Sequence, residues 1–165
     1  MMKNITLIGM PGVGKSTVGV VLAKVLGYEF LDSDLLIQRQ EQQKLSEIIS
    51  RVGTEGFLKI ENQINASIEA DRTVIATGGS VVYGIQAMEH LKKISTVVYL
   101  ELPLHELERR LGNLRGRGVV LAEGQSLQDL YEDRIPLYES YADITIPESG
   151  RDLEETLQAI LHAIA

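Results

Sequence analysis

Residues 7–17 read Leu-Ile-Gly-Met-Pro-Gly-Val-Gly-Lys-Ser-Thr: an apolar run that breaks into glycine and proline and then places a lysine. Gly9, Gly14, Lys15 and Ser16 satisfy the pattern G-x-x-x-x-G-K-[ST] without exception. Glycines allow successive backbone N–H groups to turn inward around anionic oxygens, and the following helix adds the partial positive charge of its N-terminus. The ligand this implies is a polyphosphate such as ATP. Lys15 would reach its β- and γ-phosphates, and the Ser16 hydroxyl would ligate Mg²⁺. Gly12, Val13 and Thr17, in the same loop and helix start, complete the expected nucleotide contacts. The plain alternative, a loose turn with a chance lysine, does not account for the strand before the motif and the helix after it.

The rest of the chain repeats that strand–helix alternation. Strands are expected at residues 5–9, 28–31, 73–76, 96–100 and 144–146. Helices are expected at 15–26, 34–43, 45–52, 57–70, 84–93, 104–111, 127–141 and 153–164, with Pro136 kinking or breaking the seventh of them. Short apolar strands between helices predict an α/β fold with a parallel sheet covered on both faces. Ligands of such sheets bind beyond the carboxyl ends of the strands. Those ends read Gly-Met-Pro-Gly-Val-Gly-Lys-Ser, Asp-Ser-Asp, Thr-Gly-Gly-Ser and Leu-Glu-Leu.

Asp32 and Asp34 stand at the second of these ends. Neighbours two apart in a strand point the same way, so both carboxylates would face the cleft if the strand reaches them. Asp32 would then hold Mg²⁺ through water, and Asp34 would receive or orient an acceptor hydroxyl. The competing structural role for Asp34 is to cap the next helix.

Other signals exclude more than they assign. At 165 residues the chain suits one domain with one core. No apolar run approaches the roughly 18 residues of a membrane helix, and the N-terminus does not read as a signal peptide. A net charge of −7 with no block of Lys or Arg argues against nucleic acid. The absence of cysteine fits a reducing compartment, so a cytoplasmic monomer is expected. His90, His105 and His162 are isolated and read as helix-surface residues. Tyr131, Tyr138 and Tyr141 read as core.

Taken together, the phosphate loop, Asp-Ser-Asp, Gly-Phe-Leu-Lys-Ile-Glu, Thr-Gly-Gly-Ser, the loop around Arg110 and Arg117, and Arg-Ile-Pro-Leu-Tyr-Glu-Ser-Tyr-Ala-Asp resemble the shikimate kinase family over nearly the whole chain. The resemblance implies a P-loop NTPase-type, three-layer α/β/α domain spanning residues 1–165, with five parallel strands. It implies an acceptor-binding helical region at about 33–61 and a lid at about 112–124. ATP and Mg²⁺ would be cosubstrate and metal, and a small-molecule hydroxyl the acceptor. By position, Asp34 looks like the residue that contacts the acceptor hydroxyls and Arg134 like the carboxylate-binding arginine. Arg117 looks like the lid arginine of the transferring phosphate, and Arg110 like the arginine packed on adenine. Gly78 and Gly79 look like the first two of three glycines lining the acceptor site. Lys15, Asp34 and Arg117 would then be the catalytic set.

The chain departs from the family at three places. Leu58 stands where the family has an arginine for the substrate carboxylate, Ser80 stands at the third glycine, and the lid lacks the proline that usually follows its arginine. By helical geometry Phe57, Ile60, Ile64 and Ile68 should form the buried stripe, leaving Leu58 on the flank with Asn62, Asn65 and Glu69. Leu58 would either face a less charged cleft or pack under a neighbouring element. The leading function is phosphoryl transfer from ATP to shikimate. Its rivals are transfer to another small hydroxylated acceptor, motivated by Leu58 and Ser80, and a non-catalytic nucleotide-binding regulatory module.

Overall fold

The computed structural model describes residues 3–111 and 125–165. The expected lid, Arg117 and the departure at its missing proline lie outside the described residues. Strands β1 (Asn4–Ile8), β2 (Glu29–Asp32), β3 (Thr73–Ala76), β4 (Ser95–Glu101) and β5 (Ile144–Pro147) form one parallel sheet in the order β2-β3-β1-β4-β5. Helices α1 (Lys15–Leu26), α2 (Ser33–Glu41), α3 (Leu45–Ala66), α4 (Ile85–Ile94), α5 (Leu104–Arg110), α6 (Leu127–Tyr141) and α7 (Leu153–Ile164) cover it. Successive side chains of a strand point to opposite faces. The neighbours Leu7 and Ile8, and Val97 and Val98, are nonetheless all fully buried, so both faces of the sheet are covered. Helix α1 packs with α7, while α3, α4 and α6 gather around a 3₁₀ turn, Gly79–Tyr83. No described helix is long and apolar enough to cross a membrane.

The strand order places the site. The chain leaves β1 for β2 on one side, fills the gap with β3, and then crosses β1 to reach β4. The carboxyl end of β1 therefore opens a crevice where the winding reverses, and the phosphate loop and the β3 end flank it.

Five local expectations are revised. Strand β2 ends at Asp32, which caps α2 by accepting from the N–H groups of Asp34 and Leu35 at 2.9 and 3.2 Å. Asp34 thus lies in the first helical turn, and the cap is Asp32. The two helices expected at 45–52 and 57–70 are halves of α3, joined at Gly53, whose φ of 76° and ψ of 175° break the helical path. The second half stops at Ala66, where Ser67 Oγ donates to the Ile64 carbonyl. Its buried residues are Phe57, Glu61, Ile64 and Asn65, so the stripe is rotated from Ile60 onto two polar side chains. Helix α6 runs through Pro136 without a break: Pro136 and Glu132, whose carbonyl the ring deprives of a donor, are both on the exposed face, where water can replace the lost bond.

Most core residues belong to one cluster around the sheet. A second, smaller cluster, Ile37, Ile48, Phe57 and Ile64, holds α2 against the two halves of α3.

Where β1 passes into the loop, Gly9 has φ of 149°, and a β-carbon there would lie 2.7 Å from the Leu100 carbonyl oxygen of β4. That obstacle is backbone of a central strand and cannot swing away. Gly9→Ala is therefore expected to destabilise the fold by about 2–4 kcal/mol, measurable as a fall in the urea midpoint with unchanged slope.

Candidate active site

A cavity of about 300 Å³ opens at the crevice. On one side it is bounded by the phosphate loop through Gly12, Gly14, Lys15, Ser16 and Thr17. On the other it is bounded by Asp34, Gly78, Gly79, Ser80 and Arg134, with Leu45 and Phe57 as apolar wall. The structure thus brings the expected phosphate and acceptor groups to one space.

The loop is shaped for an anion. Gly9, Gly12 and Gly14 have φ of 149°, 91° and 87°, which side-chain-bearing residues resist. Gly9 lies behind the cavity, where its carbonyl accepts from Lys15 Nζ at 2.7 Å; the Met10 carbonyl accepts at 3.0 Å. Lys15 is buried, and burial lowers its pKa to about 8 against the opposing pull of Asp34. Val13 turns its side chain into the core, and only its backbone remains near the loop. Arg110 sits on the loop's outer side and donates from Nη1 to the Gly12 carbonyl at 3.0 Å.

Ser16 Oγ donates to Asp32 Oδ2 at 2.9 Å. One hydroxyl and one carboxylate side by side at the loop mouth suit a Mg²⁺ ion that draws its other ligands from phosphate and water. Among the described residues there is no cluster of three or more His, Cys, Asp or Glu that would make a self-sufficient metal site. The Ser16–Asp32 pair fits a metal that shares its coordination with a bound nucleotide.

The side of the cavity facing the phosphate loop is built around two glycines. A β-carbon on Gly78 would lie 2.6 Å from Asp34 Oδ1 and 3.1 Å from Glu61 Oε2. One on Gly79 would lie 2.7 Å from Arg134 Nη1. Bare backbone at β3's end is what lets these charges approach. Burial and then the Asp32 charge push the Asp34 pKa up to about 6, against the pull of Lys15. Arg134 is buried in α6, its guanidinium 5.4 Å from the centre of the Tyr83 ring. Tyr83 donates in turn to Asp133 Oδ2. Tyr138, assigned to the core from sequence, is fully buried and stacks on Tyr99. Its hydroxyl also donates to the Gly79 carbonyl at 2.7 Å, fixing the turn.

Leu58, expected to contact the acceptor, is half-buried against the second apolar cluster, which includes the cavity-wall residue Phe57, and does not itself bound the cavity. Ser80 is buried, bounds the cavity and donates to Glu61 Oε1 at 2.6 Å. Of the histidines, His90 bonds to the Ile68 carbonyl at 2.6 Å, a structural contact.

Two buried acids were not assigned from the sequence. Glu61 is held up to about 7 by burial, and its Oε2 has no hydrogen-bond partner among the described residues. Glu148, just past β5, is also pushed up to about 7 by burial, against the pull of Arg110 and Lys15. Glu148 was findable by the strand-end rule, applied to β5 as it had been to the others. Glu61 follows Phe57 by four residues and shares its helix face.

Known proteins share the sequence pattern and the fold. The shikimate kinase family model matches residues 11–165. The shikimate kinase of Thermodesulfovibrio yellowstonii is 37% identical over 163 residues, which cover 97% of this chain and 94% of that protein. Shikimate kinase 2 of Yersinia enterocolitica is 32% identical over 174 residues, covering 100% of this chain and 97% of that protein. A solved shikimate kinase from Acinetobacter baumannii, in complex with shikimate, aligns with a TM-score of 0.89 at 35% identity, over 99% of this chain and 93% of that one. With sequence and fold matching end to end, this chain belongs to the shikimate kinase family.

Proposed function

We propose that this protein transfers the γ-phosphoryl group of ATP to a ring hydroxyl of shikimate. The observation that carries the reading is the single cavity joining a complete phosphate loop to a carboxylate, Asp34, and a buried guanidinium, Arg134. A small polar molecule with hydroxyls at one end and an anion at the other matches that pairing.

Each residue has a part in this reading. The loop N–H groups and Lys15 hold the β- and γ-phosphates. Ser16 and Asp32 would hold Mg²⁺, which supplies charge neutralisation on the phosphates when bound. Asp34 accepts a hydrogen bond from the attacking hydroxyl and takes its proton as the oxygen bonds to the γ-phosphorus and the bond to ADP breaks. Arg134 anchors the carboxylate; the part at the transferring phosphate is the one the family resemblance gives to Arg117, which lies outside the described residues. Catalysis is mainly positioning and charge neutralisation. A monomeric, cytoplasmic enzyme acting without nucleic acid or membrane belongs to the same reading, supported by the acidic, cysteine-free sequence.

The departures at Leu58 and at Ser80, which bounds the cavity, motivate a second reading, transfer to another small hydroxylated acceptor. Phosphorylation assays across shikimate and other small cyclic hydroxy acids separate the two. A kcat/KM for shikimate of about 10⁴ M⁻¹s⁻¹ or more would support the first, and preference for another acceptor the second.

Three outcomes are expected. Lys15→Ala should abolish turnover and weaken Mg·ATP binding in calorimetry; undiminished affinity would refute the nucleotide site. Asp34, held near 6, is protonated below that pH, so the acidic limb of kcat/KM should fall about tenfold per pH unit below it, and Asp34→Asn should show almost no activity at any pH. Leu58 precedes Glu61 by three residues on α3, and Glu61 Oε2 lacks a hydrogen-bond partner among the described residues. An arginine at 58 would have a carboxylate beside it and a second cation for the substrate. Leu58→Arg should therefore lower the shikimate KM about tenfold and leave the ATP KM unchanged.

A further inference from the structure

The contact between Ser80 and Glu61 is the least explained feature of the acceptor wall. Ser80 bounds the cavity, and Glu61 lies behind it without bounding it. Both are buried, and they are joined at 2.6 Å. A serine hydroxyl has one hydrogen and two lone pairs. When Glu61 is ionised it can only accept, so it takes the Ser80 hydrogen. The Ser80 oxygen then offers the cavity lone pairs alone. When Glu61 is protonated, its own O–H can satisfy Ser80, and the serine hydrogen is released toward the cavity. The carboxyl thus sets which sense of hydrogen bond the wall presents.

We propose that Ser80 Oγ accepts a hydrogen bond from a ring hydroxyl of the acceptor, and that Glu61 is the positioning residue that fixes this polarity. The inference rests on the functional reading above and deepens it: the site selects a hydroxyl donor at this wall. Four observations favour an acceptor-facing serine over a purely structural one. Ser80 is one of the residues that bound the cavity. Its hydrogen is already committed to the wall. The acceptors considered are rich in hydroxyl donors. The neighbouring Gly78 and Gly79 contribute no side-chain group to this stretch.

The surroundings of Glu61 pull its ionisation in both directions, with the Ser80 hydrogen bond itself favouring the ionised form. Asp34 on α2 opposes its ionisation, while Arg134 on α6 and Lys15 at the head of α1 favour it. Burial dominates and sets the midpoint at about 7. Rising pH therefore ionises Glu61 and converts Ser80 to a pure acceptor, so the affinity for the acceptor should rise through neutrality.

The test is steady-state kinetics on the full-length enzyme with shikimate and with analogues each lacking one ring hydroxyl. Ser80→Ala is expected to raise the acceptor KM about tenfold with the ATP KM unchanged. One deoxy analogue should suffer the same penalty on the wild type and no further penalty on Ser80→Ala. Glu61→Gln removes the titration, so the fall of acceptor KM through about pH 7 should flatten in that variant. If Ser80→Ala does not fold, the near-isosteric Ser80→Cys carries the same expectation. An unchanged acceptor KM in the serine variant, with only thermal stability altered, would overturn the proposal. So would deoxy penalties that are identical in wild type and variant. Failure of the wild type to phosphorylate shikimate at all would overturn the functional reading itself, and this contact with it.

Discussion

The site depends on a lysine ammonium buried in its own loop. Lys15 Nζ is clasped by the Gly9 and Met10 carbonyls at 2.7 and 3.0 Å, and the chain arranges its other buried charges within reach of that cation. Asp34, Glu148 and Asp32 favour its charge, and Arg134 opposes it. Low polarisability makes each of these interactions stronger than in water and each unpaired charge more costly. The result is a set of groups gathered near neutrality: Asp34 at about 6, Glu61 and Glu148 at about 7, Lys15 at about 8. Such convergence is common where protons and anions are handled. Delivering a polyanion into this cluster would favour the charged lysine and the neutral acids, so nucleotide and protonation states are coupled.

Much of this was legible in the sequence because it follows from local rules. The phosphate loop is contiguous, and its glycines answer a backbone demand that few other ligands make. Strand–helix alternation implied a parallel sheet, and the strand ends named the right neighbourhoods. Asp34 bounds the cavity, although not by the strand geometry expected of it. The strand stops at Asp32, and the first turn of α2 carries Asp34 into the cavity.

What was missed depended on contacts between distant segments. The rotation of the buried face of α3 from Ile60 to Glu61 and Asn65 is set by the 3₁₀ turn and α4 packed against it, and hydropathy alone favoured isoleucine. An apolar stripe assumes an apolar neighbour, whereas here the neighbour includes Ser80 and the two bare glycines. Leu58 shows the complementary case. Its departure from the family was visible, but its packing against Ile37, Ile48, Phe57 and Ile64 required the kink at Gly53 that folds the two halves of α3 together.

The paired glycines at the end of β3 have a stereochemical consequence. At Gly78 the missing side chain admits two carboxyls, and at the adjacent Gly79 it admits a guanidinium. One peptide unit therefore separates an acidic border from a basic one, with the phosphate loop on a third side. Three unlike borders that do not lie on one line, approached from the cavity's open side, define a hand. A ring that bears an anion and several similar hydroxyls on stereocentres can match all three in one orientation, and its mirror image cannot. A cavity with so few side chains would thus distinguish enantiomers and equivalent-looking hydroxyls by the placement of charge, with little need for steric exclusion.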